Sequence, residues 1–244
     1  MDSNSEKAVK LAVEGPHKIE KTPRRIRGLF DQEWVFDTTD AHAVWEHPYY
    51  PLYYIPENVI KSGILTRKAP NGDGLSSGIL KGEHKSTDQV LIFEKGPLSG
   101  LVRFEMAALD AWFEEEEPIY GHPKDPYKRI DILPSRRNIT VKIDGVTIAD
   151  SSSNMFLYET MLRPRYYLPK TSLQWRYLRE SDSTTRCPYK GLANYYTAVV
   201  NGKEYQDVVW WYKYPTAESA RISGMACFYN EKVDVFVDGV LETK

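Results

Sequence analysis

The chain spells out nearly the same pattern twice. Asp37, Glu46, Pro51, Tyr53, Tyr54 and Pro56 recur as Asp150, Glu159, Pro164, Tyr166, Tyr167 and Pro169 at one constant offset of 113 residues. The apolar type is kept at Ile26/Ile139, Phe30/Ile143, Val35/Ile148 and Leu65/Leu178. Unrelated sequence does not hold such a register, so any fold assigned to one copy must also serve the other. Towards the end of each copy the register returns at an offset of 124, pairing Gly100, Phe104, Leu109, Asp110 and Trp112 with Gly224, Phe228, Val233, Asp234 and Phe236. The second copy is therefore 11 residues longer in its middle. There it carries Thr185-Arg186-Cys187-Pro188-Tyr189-Lys190-Gly191 and then Tyr195-Tyr196. The first copy has Asn71-Gly72-Asp73-Gly74-Leu75-Ser76-Ser77-Gly78 instead, a flexible-loop composition with no side chain suited to chemistry.

Strand signals dominate both copies. Residues 137–143 alternate apolar and polar side chains with period two, Asp144-Gly145 supplies a hairpin turn, and residues 146–149 return. The first copy repeats this around Asp31-Gln32, and Asn201-Gly202 and Asp238-Gly239 mark further turns. Helical candidates are short and bounded by proline, as at Pro56, Pro169 and Pro215. The predicted class is mostly β with a minor α component: two homologous compact β-rich modules in tandem, each opening with a β-hairpin. The predicted organisation is a mobile N-terminal arm over 1–23, a first module over 24–117, a Pro-rich charged connection over 118–134 and a second module over 135–240.

Composition narrows the function classes. A formal net charge of −2 gives no global field for polyanions, so no nucleic acid partner is expected. No run approaches the apolar length of a membrane span and the N-terminus lacks the apolar region of a secretory signal, so the expectation is a soluble cytoplasmic protein. Two cysteines cannot build a disulfide framework, and His17, His42, His47, His84 and His122 show none of the usual metal-ligand spacings, so no metal site is predicted. Cys227 reads as a small buried hydrophobe. The 17 tyrosines and 6 tryptophans suit a ligand cleft or a module interface, although strands also favour them.

The chain resembles the tandem form of the family catalogued as domain of unknown function 427, over roughly residues 24 to 240. The resemblance rests on Val146-Thr147-Ile148-Ala149-Asp150, on Tyr158-Glu159 leading to Arg165-Tyr166-Tyr167-Leu168-Pro169, and on Val209-Trp210 with residues 224–229. Its most specific part is the run from Ser181 to Gly191 with its Cys-Pro-Tyr-Lys-Gly core, which the first copy lacks. The resemblance implies a compact mostly-β fold, and the family carries a nucleotidyltransferase label.

The asymmetry of the duplication points to a site in the second copy. Pro188 holds Cys187 extended and Gly191 permits a sharp turn after Lys190. An ammonium near a thiol favours thiolate, so Cys187 is a candidate nucleophile; the competing reading packs Cys187 in a loop and pairs Lys190 with Glu159 or Asp182. Lys190 also suits an anion or carbonyl anchor, with Arg165 and Arg186 near it and Tyr166, Tyr167, Tyr189, Tyr195 and Trp210 walling an apolar slot. Glu159 recurs as Glu46 in the copy without the Cys-Lys loop, which gives it a structural share, and the recurrence of Tyr166 and Tyr167 as Tyr53 and Tyr54 weakens those two as functional residues in the same way. His122, in the connection, is a candidate acid/base, weighed against a docking strap held by Pro123 and Pro126. The leading expectation is a protein that binds a small anionic or carbonyl metabolite in an aromatic pocket of the second module. Whether it is an enzyme, which cofactor it uses and whether it forms a homo-oligomer stay open. The alternatives are a non-catalytic metabolite-binding or protein-interaction module, and nucleotide transfer by family label only.

Overall fold

A computed structural model describes residues 3–70 and 74–244, and the chain divides into two compact units at Asp125/Pro126. The first unit contains α1 (Ser3–Glu14), β1 (Lys18–Lys21), β2 (Ile26–Phe30), β3 (Glu33–Thr38), β4 (His42–Trp45), β5 (Leu52–Pro56), β6 (Leu65–Pro70), β7 (Leu75–Lys81), β8 (Ser86–Phe93), β9 (Leu101–Phe104), β10 (Ala111–Glu114) and β11 (Glu117–Ile119). The second contains β12 (Ile130–Ser135), β13 (Ile139–Ile143), β14 (Val146–Ser151), β15 (Asn154–Glu159), β16 (Arg165–Pro169), β17 (Leu178–Cys187), β18 (Gly191–Val200), β19 (Lys203–Pro215), β20 (Met225–Phe228), β21 (Asp234–Val237) and β22 (Val240–Leu241). Each unit pairs a seven-stranded with a four-stranded sheet. The orders are β1-β4-β5-β9-β8-β7-β6 with β11-β10-β2-β3, then β12-β15-β16-β20-β19-β18-β17 with β14-β13-β21-β22. Strand for strand the topologies are the same, as the constant register demands. The protein is mostly β and tandem, and no helix among the described residues is long and apolar enough to cross a membrane.

The turns are where the sequence puts them. Asp31-Gln32, Asp144-Gly145, Asn201-Gly202 and Asp238-Gly239 all take positive φ at both positions, the geometry that matches strand twist in two-residue hairpins. Each main core lies between the two sheets of its unit. In the second unit Ile139, Val141, Ile148 and Val235 of the small sheet meet Phe156, Leu168, Val209 and Phe228 of the large one. Ile26, Val35, Phe36 and Trp112 do the same against Ile55, Ile92, Val102 and Phe104 in the first.

Three expectations need correction. Residues read as a mobile arm form α1 and β1. Ala8, Leu11 and Ala12 recur at helical spacing and bury against Val44, Tyr54, Phe93 and Leu98 on the outer face of the first large sheet, while β1 adds a strand beside β4. The segment read as a connection has regular structure at both ends, since Glu117–Ile119 pairs with β10 and Ile130–Ser135 with β15. Of the glycine-rich run 71–78, Leu75 to Gly78 belong to β7, where Leu75 and Ser76 are both buried on opposite faces of the strand; residues 71–73 lie outside the described residues. The extra length of the second copy goes into longer strands: β17, β18 and β19 have 10, 10 and 13 residues where β6, β7 and β8 have 6, 7 and 8.

Candidate functional site

Period-two alternation divides the large sheet of the second unit into two faces. Phe156, Tyr166, Tyr196, Val209 and Phe228 point into the core between the sheets, and their neighbours Leu157, Tyr167, Tyr195, Trp210 and Cys227 point outward. On that outer face lies a cavity of about 220 Å³, lined by Glu159, Arg165 and Lys190, with Tyr195, Trp210, Tyr212 and Tyr229 as its aromatic wall.

Lys190 gets there because Cys187-Pro188-Tyr189-Lys190 is the tip of the β17–β18 hairpin. The Lys190 N–H donates to the Cys187 carbonyl (3.3 Å), and the Lys190 carbonyl accepts from the Thr216 N–H (3.2 Å). The Tyr189 carbonyl accepts from the Thr216 and Ser219 hydroxyls at 2.5 and 3.0 Å, which pins the buried Tyr189 beneath the tip. Gly191 has φ of 103°, and a Cβ there would lie 3.0 Å from the Tyr214 carbonyl oxygen, so any other residue would be strained and crowded at this close approach.

Thus held, the Lys190 ammonium donates to Glu159 (2.5 Å) and lies 3.9 Å from the Cys187 sulfur. Lys128 is 3.7 Å from the other Glu159 oxygen. Glu159 and Lys190 are each only 9% exposed, so the carboxylate sits between two ammonium groups in a poorly hydrated place. The first unit keeps the acid and changes the cation: Glu46 accepts from Arg103 (2.6 Å) and from the Tyr54 hydroxyl (2.9 Å). This explains why the glutamate recurs without the Cys-Lys loop.

Arg165 forks onto Glu231 at 2.7 and 3.1 Å while lying 5.3 Å from the Trp210 ring centroid. Burial works against the Arg165 charge, and the fork more than restores it; the same fork pushes the Glu231 carboxyl down to about 2. The Trp210 Nε1–H donates to the Tyr167 hydroxyl (3.1 Å), and the Tyr195 and Thr185 hydroxyls are 2.6 Å apart. Tyr212 differs from these. It is 4% exposed and lines the cavity, and no hydrogen bond joins its hydroxyl to any described residue. Burial raises Tyr167, Tyr212 and Tyr229 well above the usual phenol value, so all three present O–H groups near neutral pH. Burial likewise pushes up the thiol of the fully buried Cys227, as befits a small hydrophobe.

Of the residues singled out in the sequence, the cavity brings together Glu159, Arg165, Lys190, Tyr195 and Trp210. Cys187 lies beside Lys190, and Tyr189 supports the tip from below. Tyr166 does not wall the slot: it points to the opposite face, packs on Phe156 and donates to Glu242 (2.9 Å), because alternation sends it the other way from Tyr167. Arg186 is exposed on β17 and is not part of the lining. His122 belongs to the first unit, stacked on Tyr50 at 3.8 Å with its Nδ1 2.7 Å from the Pro123 carbonyl, whereas the cavity is lined by the second unit alone. Sequence reasoning missed Tyr212, two residues beyond Trp210 and hence on the same face, and Tyr229, just past β20. It also discounted Tyr167 because Tyr54 repeats it.

A family model described as "Domain of unknown function (DUF427)" matches residues 18–73 and 131–239, taking in strands of both copies and the whole hairpin that carries Lys190. No curated protein matches the chain.

Proposed function

The chain belongs to the DUF427 family, and from that premise we propose that its second unit binds a small metabolite bearing a carbonyl or anionic group in the cavity over Trp210. The observation that carries this reading is the cavity itself, where the poorly hydrated Lys190–Glu159 pair faces an aromatic wall that includes Tyr212. The Tyr212 hydroxyl bonds to no described residue yet is not sealed from solvent, so a ligand oxygen can take the place of water there. Glu159 fixes the Lys190 ammonium in position and leaves it further N–H groups to donate. Trp210, Tyr195 and Tyr229 give a planar ligand its contact surface.

Two features favour binding without conversion over thiol catalysis. Cys187 is next to Lys190 but outside the cavity lining, and its ammonium neighbour is already committed to Glu159. Lys190 and Arg165 are each matched by a carboxylate, an arrangement suited to a singly charged or neutral polar group and poor for a polyphosphate. For that reason nucleotide transfer stays a label.

The test is a thermal-shift screen of the whole protein against carboxylates, aldehydes, sugar phosphates and nucleotides, with Lys190→Ala and Tyr212→Phe as paired variants. A ligand at a hundred times its dissociation constant stabilises the fold by about 2.7 kcal/mol. One class should shift the parent strongly and both variants weakly. If no class shifts the parent, or if parent and variants shift alike, the cavity is not a ligand site.

A further inference from the structure

The opposite face of the same sheet region holds an amine that the cavity does not use. Lys170 opens the short 3-10 turn Lys170–Ser172 directly after β16 and is half-buried. Its Nζ lies 2.9 Å from the centroid of the Trp211 ring and donates to the Tyr196 hydroxyl at 2.9 Å. Tyr196 and Trp211 are parallel at 5.8 Å, so the amine rests against two aromatic rings, and Trp175 meets Tyr196 edge-on at 5.2 Å. No ion pair joins Lys170 to a carboxylate among the described residues; Glu180 acts on it only from a distance. The 113-residue register places Glu57 at the same position of the first copy, where it pairs with Arg67, so this amine is a property of the second copy alone.

We propose that Lys170 is a covalent capture site for small aldehydes or ketones, with Tyr196 as the proton carrier for imine formation. The amine lone pair adds to the carbonyl carbon, forming the C–N bond as the C=O π pair moves to oxygen, and a proton passes from nitrogen to that oxygen. Tyr196 then donates its proton to the resulting hydroxyl, which leaves as water while the nitrogen pair closes the C=N bond. The remaining N–H proton returns to Tyr196. Amine plus carbonyl gives imine plus water, with nothing oxidised or reduced. A lysine with poor hydration and no counter-ion is the form of this side chain that serves as a nucleophile.

The ionisation behaviour fits this chemistry. Loss of hydration pulls Lys170 down to about 8, against the opposing field of Glu180, and the Trp211 face also favours the charged form. Burial, then Glu180, raises Tyr196, which keeps its proton available. At pH 7 an amine titrating near 8 is neutral about a tenth of the time, against about one part in three thousand for an ordinary lysine.

The experiment is reductive alkylation of the whole protein with propanal and sodium cyanoborohydride at pH 7, read lysine by lysine by peptide mass spectrometry. Lys170 is expected to react at least tenfold faster than the exposed Lys213 and Lys232, and Tyr196→Phe to slow Lys170 while leaving those two unchanged. Lys170 reacting no faster than Lys213 and Lys232 overturns the proposal, and a fast Lys170 that ignores Tyr196→Phe overturns the assignment of the proton carrier. Lys190→Ala should leave the Lys170 rate untouched, so a failed cavity and a failed capture site give different results.

Discussion

Lys190→Met tests the anchoring of the hairpin tip most directly. Methionine keeps the length and apolar body of the side chain and removes its charge. Breaking a buried ion pair from one side costs about 3–5 kcal/mol, because the remaining charge is stranded. Here the stranded Glu159 keeps Lys128 at 3.7 Å, and Lys128 is itself well buried, so it takes up part of the deficit. The expected cost is about 2 kcal/mol, below the range for a fully stranded charge. In a unit of this size that lowers the melting temperature by about 6–10 °C. The decisive measurement is a double-mutant cycle with Glu159→Gln, followed by urea unfolding and circular dichroism. Once the carboxylate is gone, Lys190→Met should cost far less, giving a coupling of at least about 1.5 kcal/mol. Equal costs of Lys190→Met in both backgrounds would refute the reasoning, since the hairpin tip would then be held by the Tyr189 and Lys190 backbone bonds alone.

Tyr212→Phe should change stability by less than about 0.5 kcal/mol in urea unfolding, because its hydroxyl bonds to no described residue, while weakening any ligand found for the cavity. Glu231 carries a pH signature. Its folded value of about 2 lies below the ordinary 4.5, so its stabilisation is complete above about pH 4.5 and is lost as pH falls towards 2. Glu231→Gln should therefore flatten the acid limb of a stability–pH profile in that window, and an unchanged limb would show that the fork with Arg165 contributes nothing. Gly191→Ala should destabilise by about 1–2 kcal/mol from backbone strain alone, measured by the same unfolding assay. Leu11→Asp buries a charge against Tyr54 and Phe93 and should detach α1, seen as rapid amide exchange over Ser3–Glu14 with slow exchange retained in β4 and β5.

Much of the fold was legible because it is written in local signals. Two-residue turns with asparagine or aspartate, period-two strands and the doubled register lead to the observed hairpins and to equal topologies. What escaped were elements whose formation depends on a distant partner. Among its described side chains, helix α1 has Ala8, Leu11 and Ala12 as its buried stripe, too little to stand out until the apolar face under it is known. In the site, comparing the copies drew attention to Lys190, and its competing pairing with Glu159 is the one present in the structure. Comparing the copies cannot show that a shared residue sits in different surroundings: Tyr54 bonds Glu46 beneath α1, while Tyr167 takes the Trp210 N–H at the cavity. Face assignment needed a strand register, which is why Tyr166 and Tyr167 could not be separated before the pairing of β16 with β20 was known.

The repeated topology also sets a problem for biosynthesis. Corresponding strands of the two copies share register and pattern, so each is a plausible wrong partner for the other's neighbours, and tandem repeats are prone to swapping for that reason. The strand at the middle of each large sheet arrives late, β9 beside β5 and β20 beside β16, so neither unit can close early. The last strand of the first unit, Glu117–Ile119, nonetheless leaves the ribosome before the first strand of the second, Ile130–Ser135. At about 5–20 residues per second the first copy has several seconds before a competing central strand exists, and all-β domains of this size fold in about milliseconds to seconds. Order of synthesis thus separates two nearly interchangeable sets of strands in time, a separation that refolding of the full-length chain from denaturant does not have.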